Sequence, residues 1–168
     1  LKSIQYYLSL EMLESEHAQG FYTEKLIQLK GSPVANVSLP DQFIEQASFQ
    51  LPLDQNIYLC PIKISELHID MYSIFISILE KDPKGQIFVL SSTHSALDQI
   101  FKENCTSINA EVDDRLHILP PMNEHSLYSL IQYVDIVLDP VHIGLQHQAW
   151  PLIMLGTPII SLQSDHVS

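Results

Sequence analysis

From about Gln55 onward, short runs of apolar residues alternate with stretches in which apolar residues recur at helical spacing. In the first such stretch Met71, Phe75 and Ile78 fall on one face of a helix, which ends at residues 82–85. Strands that are apolar throughout, separated by amphipathic helices, are typical of a parallel sheet covered on both faces. The pattern predicts an α/β fold, a doubly wound Rossmann-like parallel sheet, with strands at 57–62, 86–92, 115–120, 135–139 and 158–162.

The predicted helices are flanked by residues that suit helix ends. Ser92 or Thr93 can cap the second helix, and Asn123 can cap the third. Gly156 follows the fourth, which we predict at about 147–155. Strand and helix boundaries can therefore be placed from the sequence over most of this region.

The first 54 residues do not follow the alternation. They contain one helix or strand from Ile4 to Leu13 and, at 39–55, a tail that is typical of an extended linker. We therefore predict a boundary between residues 54 and 55, with the Rossmann-like region at 55–168. The chain starts without Met and stops just after an apolar strand, so we expect a fragment, truncated at its C-terminus.

Composition excludes several classes of protein. With 46% hydrophobic residues the chain can form a packed core. A net charge of −12 with only 8 Lys and Arg argues against a nucleic-acid partner, because phosphate contacts require clustered basic residues. No apolar run reaches the ~18 residues of a membrane span, and the first residues lack the features of a signal peptide. Cys60 and Cys105 lack metal-ligand spacing, so we expect free thiols and a cytoplasmic protein.

Candidate chemistry lies in the loops that follow the predicted strands. In sheets of this type ligands bind outside the carboxyl ends of the strands, where helix N-termini attract phosphate. A glycine that opens a helix lets the backbone approach a pyrophosphate, and histidine or glutamine can donate to its oxygens. Asp139 and His142 also suit purely structural roles, in which they orient the loop or lie in the core. The longest candidate loop, 139–148, contains Asp139, His142, Gly144, Gln146, His147 and Gln148.

Several familiar sites are missing from the sequence. It contains no GxGxxG, no GxxxxGK[ST] and no GxSxG, which argues against a dinucleotide fingerprint, a P-loop and a nucleophile elbow. Asp139, His142 and His147 could ligate zinc, but their spacing matches no recognised ligand pattern, so we predict no metal site. Cys60 follows a strand and could act as a nucleophile, although a buried structural cysteine is far commoner.

Placed on these elements, the chain resembles the C-terminal lobe of the O-linked N-acetylglucosamine transferases and their SPINDLY-like bacterial relatives. The resemblance covers nearly the whole chain and includes the Asp139-Pro140 and Gly156-Thr157-Pro158 motifs. Residues 1–54 are similar to the segment between the two lobes of that family. The similar segments are IQYYLS (4–9), FYTEKLIQL (21–29), IYLCP (57–61), ILEKDPKGQIFVL (78–90), DDRLHILPPM (113–122), VDIVLDPVHIG (134–144) and MLGTPIISL (154–162).

The resemblance implies an inverting glycosyltransferase of the GT-B type. Such an enzyme transfers a sugar to Ser or Thr of an acceptor protein or peptide. Its donor is a UDP-sugar such as UDP-GlcNAc or a related compound, and it needs no metal or cofactor. It also implies an N-terminal lobe and helical repeats as partners, so the chain alone should not turn over. Besides the loop at 139–148, the donor-binding residues implied by the resemblance are Lys63, Glu66, His68, Pro121 and Met122.

The chain departs from the family mainly at polar contact positions. Ile62 and Glu66 stand where the family has a Gln and the Lys that contacts the donor diphosphate, which reverses the sign of that Coulomb interaction. Lys63 is a nearby replacement. Leu145 begins a stretch that replaces the family's glycine run, and Pro151 replaces an acidic residue that holds the ribose.

Three functions remain open from the sequence. The first is an active glycosyltransferase whose donor site has been rebuilt with Lys63, His142, His147 and Gln148. The second is a catalytically inactive relative that serves as a protein-interaction module, an alternative that Glu66 and Pro151 favour. The third is another enzyme of the same architecture, such as a sugar epimerase. Catalytic residues cannot be assigned from this sequence.

Overall fold

The computed structural model describes residues 4–31 and 38–162. Contacts divide these residues into two compact units, one within 4–31 and the other within 38–162. This division lies between residues 37 and 38, whereas the sequence pattern predicts one between 54 and 55. The difference concerns the segment at 39–54, which the pattern assigns to a linker.

The smaller unit is built on two parallel strands, β1 (Tyr6–Leu10) and β2 (Lys25–Leu29). Two 3-10 turns connect them. The hydroxyl of Tyr22 donates to Glu14 Oε1 at 2.9 Å, and its ring centroid lies 4.6 Å from that of Tyr7. The segment at 4–13, for which the pattern allowed a helix or a strand, is thus a strand followed by a 3-10 turn.

The larger unit contains a five-stranded parallel sheet in the order β5-β4-β3-β6-β7. Its strands are β3 (Asn56–Lys63), β4 (Gly85–Leu90), β5 (Leu116–Leu119), β6 (Ile136–Leu138) and β7 (Ile159–Ile160). Its helices are α1 (Asp70–Lys81), α2 (Ser95–Ile108), α3 (Glu124–Ile131) and α4 (Ala149–Leu155). The chain leaves β3 toward one edge of the sheet and returns to its other side at β6, as in a doubly wound fold. The predicted fold class is confirmed.

The core lies on the central strands and the helix faces that cover them. The continuous apolar strands β3 and β4 bury residues on both faces, and α1 packs on α2 while α3 packs on α4. Each large apolar side chain buried in this way stabilises the fold by about 1.5–3 kcal/mol. The side chains with no more than 1% exposure include Leu59, Cys60, Met71, Phe75, Leu79, Ile87, Val89, Phe101, Leu130, Ile131 and Val137.

The segment at 39–54 packs on the larger unit. The backbone N–H of Ile44 donates to Ser129 Oγ at 3.0 Å, and the hydroxyl of Tyr133 donates to the carbonyl of Ile44 at 3.0 Å. Leu51 is buried in the core at 7% exposure. These contacts join the segment to α3, over a sequence separation that local patterning does not detect.

Helix ends match the predictions at two of three positions. Asn123 caps α3 by accepting from the N–H of Ser126 at 2.9 Å, and Gly156 ends α4 in the left-handed region at φ 77°. The prediction for α2 was wrong: its N-cap is His94 rather than Ser92 or Thr93. Among the described residues no helix combines the length and apolar character needed to span a bilayer.

Candidate functional site at the junction of strands β3 and β6

The loops after β3 and β6 meet where the strand order reverses, which is the position at which such sheets bind ligands. His142 Nε2, in the loop after β6, lies 2.8 Å from Asp70 Oδ2, at the start of α1. His68 Nδ1 lies 3.3 Å from the same carboxylate oxygen, and the two imidazole centroids are 4.4 Å apart. We call His68, Asp70 and His142 the junction cluster. All three side chains are exposed.

His142 is held in an unusual backbone conformation. Its φ is 72°, in the left-handed region that residues other than glycine adopt only at a cost of roughly 1–2 kcal/mol. The hydrogen bond from its imidazole holds the pKa of Asp70 below its usual value, and His68 adds to the effect. The alternative in which His142 lies in the core does not hold, because its side chain is exposed to solvent.

Asp139 organises the loop after β6. One carboxylate oxygen accepts from the N–H of Leu145 at 2.6 Å, and the other accepts from the hydroxyl of Ser161 at 2.5 Å. Leu145 is buried at 3% exposure, so its side chain anchors the loop to the core. The structural role considered for Asp139 is the one that these contacts support.

A cleft of about 580 Å³ lies beside this loop. Gly144 adopts a φ of 71° and Gln146 a φ of 49°, so the backbone turns sharply where it borders the cleft. Ten residues line the cleft: Asp139, Gly144, Leu145, Gln146, Ala149, Ile153, Gly156, Thr157, Ile159 and Ser161. Three predicted site residues, Asp139, Gly144 and Gln146, are thus brought together on one wall.

Other predicted site residues lie elsewhere. Lys63 ends β3 and Glu66 lies in the 3-10 turn that follows; both are exposed, and within 4–31 and 38–162 neither side chain forms a hydrogen bond or an ion pair. Pro121 and Met122 follow β5, the outermost strand, and are not among the described residues that line the cleft. Gln148 precedes α4, with its backbone N–H bonded to the carbonyl of Leu145.

The departures from the family pattern have local structural explanations. Ile62 is buried at 4% exposure, so its side chain packs in the core. Pro151 is buried in the first turn of α4, where its missing N–H leaves no helix hydrogen bond broken. The backbone of His147 lies in the 3-10 turn Gln146–Gln148, and its side chain is outside the described part of the structure.

The two cysteines are buried free thiols. Burial raises the pKa of Cys60 to about 12 and that of Cys105 to about 12. Since the thiolate is the reactive form, neither side chain is suited to act as a nucleophile near neutral pH. The structural interpretation of Cys60 is therefore the one that the environment favours.

Two residues of the site were not predicted. Asp70 falls at the end of a candidate loop, but its separation of 72 residues from His142 concealed the contact. Ser161 was placed inside a strand at 158–162, whereas β7 ends at Ile160 and leaves the Ser161 hydroxyl to bond Asp139. A polar residue directly after a short apolar strand is the signal that could have identified Ser161.

Comparisons with known proteins support the fold. No family model and no curated protein matches the sequence. Among solved structures, a lysine-to-methionine mutant of the O-GlcNAc transferase of Thermobaculum terrenum matches with a TM-score of 0.77 and 16% identity. The match covers 99% of this chain and 32% of that one, so the chain spans about a third of the length of its structural neighbour. The predicted resemblance is confirmed at the level of the fold, which is similar to that of part of this O-GlcNAc transferase structure.

Proposed function

We propose that the chain is the donor-binding lobe of a glycosyltransferase that transfers a sugar from a UDP-sugar, such as UDP-GlcNAc, to Ser or Thr of an acceptor protein. The observation that carries the proposal is the cleft of about 580 Å³ at the carboxyl ends of β6 and β7, in a fold like that of an O-GlcNAc transferase. Its volume falls within the range of about 300–1,000 Å³ typical of small-molecule sites.

The cleft presents hydrogen-bond donors, rather than positively charged side chains, to the diphosphate of a UDP-sugar. Gln146 lines the cleft with an amide that can donate to phosphate oxygens, and Thr157 adds a hydroxyl that donates to the carbonyl of Ile131 at 3.4 Å. The carboxylate of Asp139 is occupied by the N–H of Leu145 and the hydroxyl of Ser161, which reduces its repulsion of an anion. Because the protein carries a net charge of −12, we expect it to bind a UDP-sugar through hydrogen bonds and apolar contacts.

The whole reaction needs more than this chain. In our proposal an N-terminal lobe completes the active site, helical repeats present the acceptor protein, and no cofactor takes part. The buried free thiols of Cys60 and Cys105 support a reducing compartment such as the cytoplasm.

The proposal is tested by calorimetric titration of the chain with UDP and with GDP. Gln146→Gly removes the amide from the cleft without backbone strain, because φ 49° suits glycine. Loss of a hydrogen bond to a charged group should weaken UDP binding by about tenfold or more. The matched control is Gln50→Gly, since Gln50 has a φ of 51° and does not line the cleft. A dissociation constant for UDP weaker than millimolar, unchanged in Gln146→Gly and in His147→Ala, would refute the proposal.

A second candidate is a catalytically inactive relative that acts as a protein-interaction module. It is favoured by a largely apolar cleft of about 490 Å³ on the α1 side of β6 and β7, where Ile160 and Leu162 are exposed at 55% and 71%. Exposed apolar surface of this kind is typical of interaction sites. Transfer or hydrolysis of any UDP-sugar by the protein together with its N-terminal lobe would eliminate this candidate.

A further inference from the structure

Three atoms with lone pairs converge in the junction cluster. Asp70 Oδ2 lies 2.8 Å from His142 Nε2 and 3.3 Å from His68 Nδ1, and the three potential ligand atoms all lie within 4.8 Å of one another. They come from two loops that are 72 residues apart in sequence. This trio differs from the Asp139, His142 and His147 set that the sequence suggested for zinc.

His68 Nδ1 has one in-plane lone pair and two long contacts in the cluster. It lies 3.3 Å from the backbone nitrogen of Asp70 and 3.3 Å from Asp70 Oδ2, so it either accepts from that N–H or, when it carries a proton, donates to the carboxylate. His142 Nε2 can donate to Asp70 Oδ2 at 2.8 Å. A cation bound by all three atoms would replace these contacts, with both imidazole nitrogens unprotonated.

The separations suit a transition metal. Zinc binds imidazole nitrogen and carboxylate oxygen at about 2.0–2.2 Å, which in tetrahedral geometry separates the ligand atoms by about 3.3 Å. The 3.3 Å between His68 Nδ1 and Asp70 Oδ2 matches this value, the 2.8 Å between Asp70 Oδ2 and His142 Nε2 is shorter, and the two imidazole nitrogens lie within 4.8 Å of each other. Two imidazoles with one carboxylate are ligands for late first-row divalent ions rather than for Mg²⁺ or Ca²⁺.

The surrounding structure holds the loop in place without help from the cluster. Asp139 secures the loop after β6 through Leu145 and Ser161, and the N–H of Gly144 bonds the carbonyl of Pro140 at 2.9 Å. The strained φ of His142 keeps its imidazole over Asp70, at the start of α1. Strained backbone of this kind is concentrated at ligand sites.

We propose that His68, Asp70 and His142 bind one late first-row divalent transition-metal ion, with Zn²⁺ as the probe. His68 Nδ1, Asp70 Oδ2 and His142 Nε2 are the ligands. Because all three side chains are exposed, at least one coordination position faces solvent and takes water or an anionic group. The site does not depend on the proposed function, since the cleft that we assign to the sugar donor is lined by other residues.

The experiment is a calorimetric titration of the 168-residue chain, free of any affinity tag and of nucleotide, with ZnCl₂. Two variants each remove a ligand: Asp70→Ala, and His142→Gly, which also suits the φ of 72°. The control is His94→Ala, an exposed histidine in the loop after β4. Loss of a residue that merely supports a ligand lowers metal affinity about 10-fold to 100-fold, so loss of a ligand should lower it at least about 10-fold.

We expect one Zn²⁺ per chain, weakened in both ligand variants and unchanged in His94→Ala. Circular dichroism identifies any variant that has lost its fold, and the visible absorption of bound Co²⁺ then reports the ligand set in the native protein. The proposal is overturned if the ligand variants bind Zn²⁺ as tightly as the native chain. It is equally overturned if His94→Ala weakens binding to the same extent, or if Co²⁺ shows no absorption beyond that of the aqueous ion.

Discussion

The loops after β4 and β6 lie at the same edge of one parallel sheet, and each is held by an aspartate that works differently from Asp70: Asp98 in the first turn of α2, and Asp139 in the loop after β6. Asp98 accepts hydrogen bonds from the hydroxyl of Ser91 and from both the N–H and the hydroxyl of Ser92. Asp139 accepts from Leu145 and Ser161. Within 4–31 and 38–162 the carboxylate of Asp70, by contrast, contacts only the exposed imidazoles of His68 and His142. Asp98 and Asp139 thus hold the backbone in place, whereas the carboxylate of Asp70 is available to a ligand. All three lie at the same edge of the sheet.

The largest effect is expected from Asp98→Ala. The substitution leaves Ser92, which is buried at 3% exposure, without the acceptor for its N–H. Loss of three hydrogen bonds to a carboxylate should lower the free energy of unfolding by about 3 kcal/mol, measured by urea denaturation. Asp113→Ala is the control, since the half-exposed carboxylate of Asp113 is paired, among the described residues, only with Lys102 at 3.2 Å. Equal losses in the two variants would contradict the structural role of Asp98.

Asp139→Ala should have a somewhat smaller effect on stability and a clear effect on binding. It removes two hydrogen bonds, for which we expect a loss of about 2 kcal/mol in the free energy of unfolding. The freed loop would no longer hold Gly144 and Gln146 against the cleft, so UDP affinity should fall as well. If UDP binding is retained while stability falls, the cleft is not the donor site.

Acid should remove the stabilisation that the carboxylate of Asp98 provides. Burial disfavours the charged form of Asp98, but the hydrogen bonds from Ser91 and then Ser92 outweigh it and hold its pKa below the usual 3.8. A lowered pKa in the folded state means that the unfolded state takes up the proton first as pH falls. The stabilisation is therefore complete above pH 3.8 and is lost as pH falls through the folded-state value. Urea denaturation between pH 6 and pH 3 should show a shallower decline in Asp98→Asn than in the native chain.

The smallest change in stability is expected from His142→Gly. Relief of the left-handed φ of 72° stabilises the chain, and loss of the exposed pair with Asp70 opposes it, so the net change should stay within about 1 kcal/mol. Asp54→Gly, an exposed residue with a φ of 58°, controls for the backbone contribution. A loss well above that size would show that the junction cluster holds the fold together, as Asp98 and Asp139 do.

The fold could be predicted because its signals are local. Continuous apolar strands, helical spacing in α1, and the caps at Asn123 and Gly156 each depend on residues within a few positions of one another. The segment at 39–54 was assigned to a linker because its anchors, Ser129 and Tyr133, lie 85 and 89 residues beyond Ile44. Periodicity carries no information about such pairings.

The candidate site, like the fold, was determined partly by the sequence and partly by tertiary contacts. The sequence alone identified the loop at 139–148 and placed it at the carboxyl edge of a parallel sheet, because loop position follows from the order of the elements. Only the tertiary structure decided that Asp139 is engaged by Leu145 and Ser161, and that Asp70 and His68 meet His142. The reason is that strand order brings β3 beside β6, and a contact between side chains depends on that adjacency rather than on their spacing along the chain.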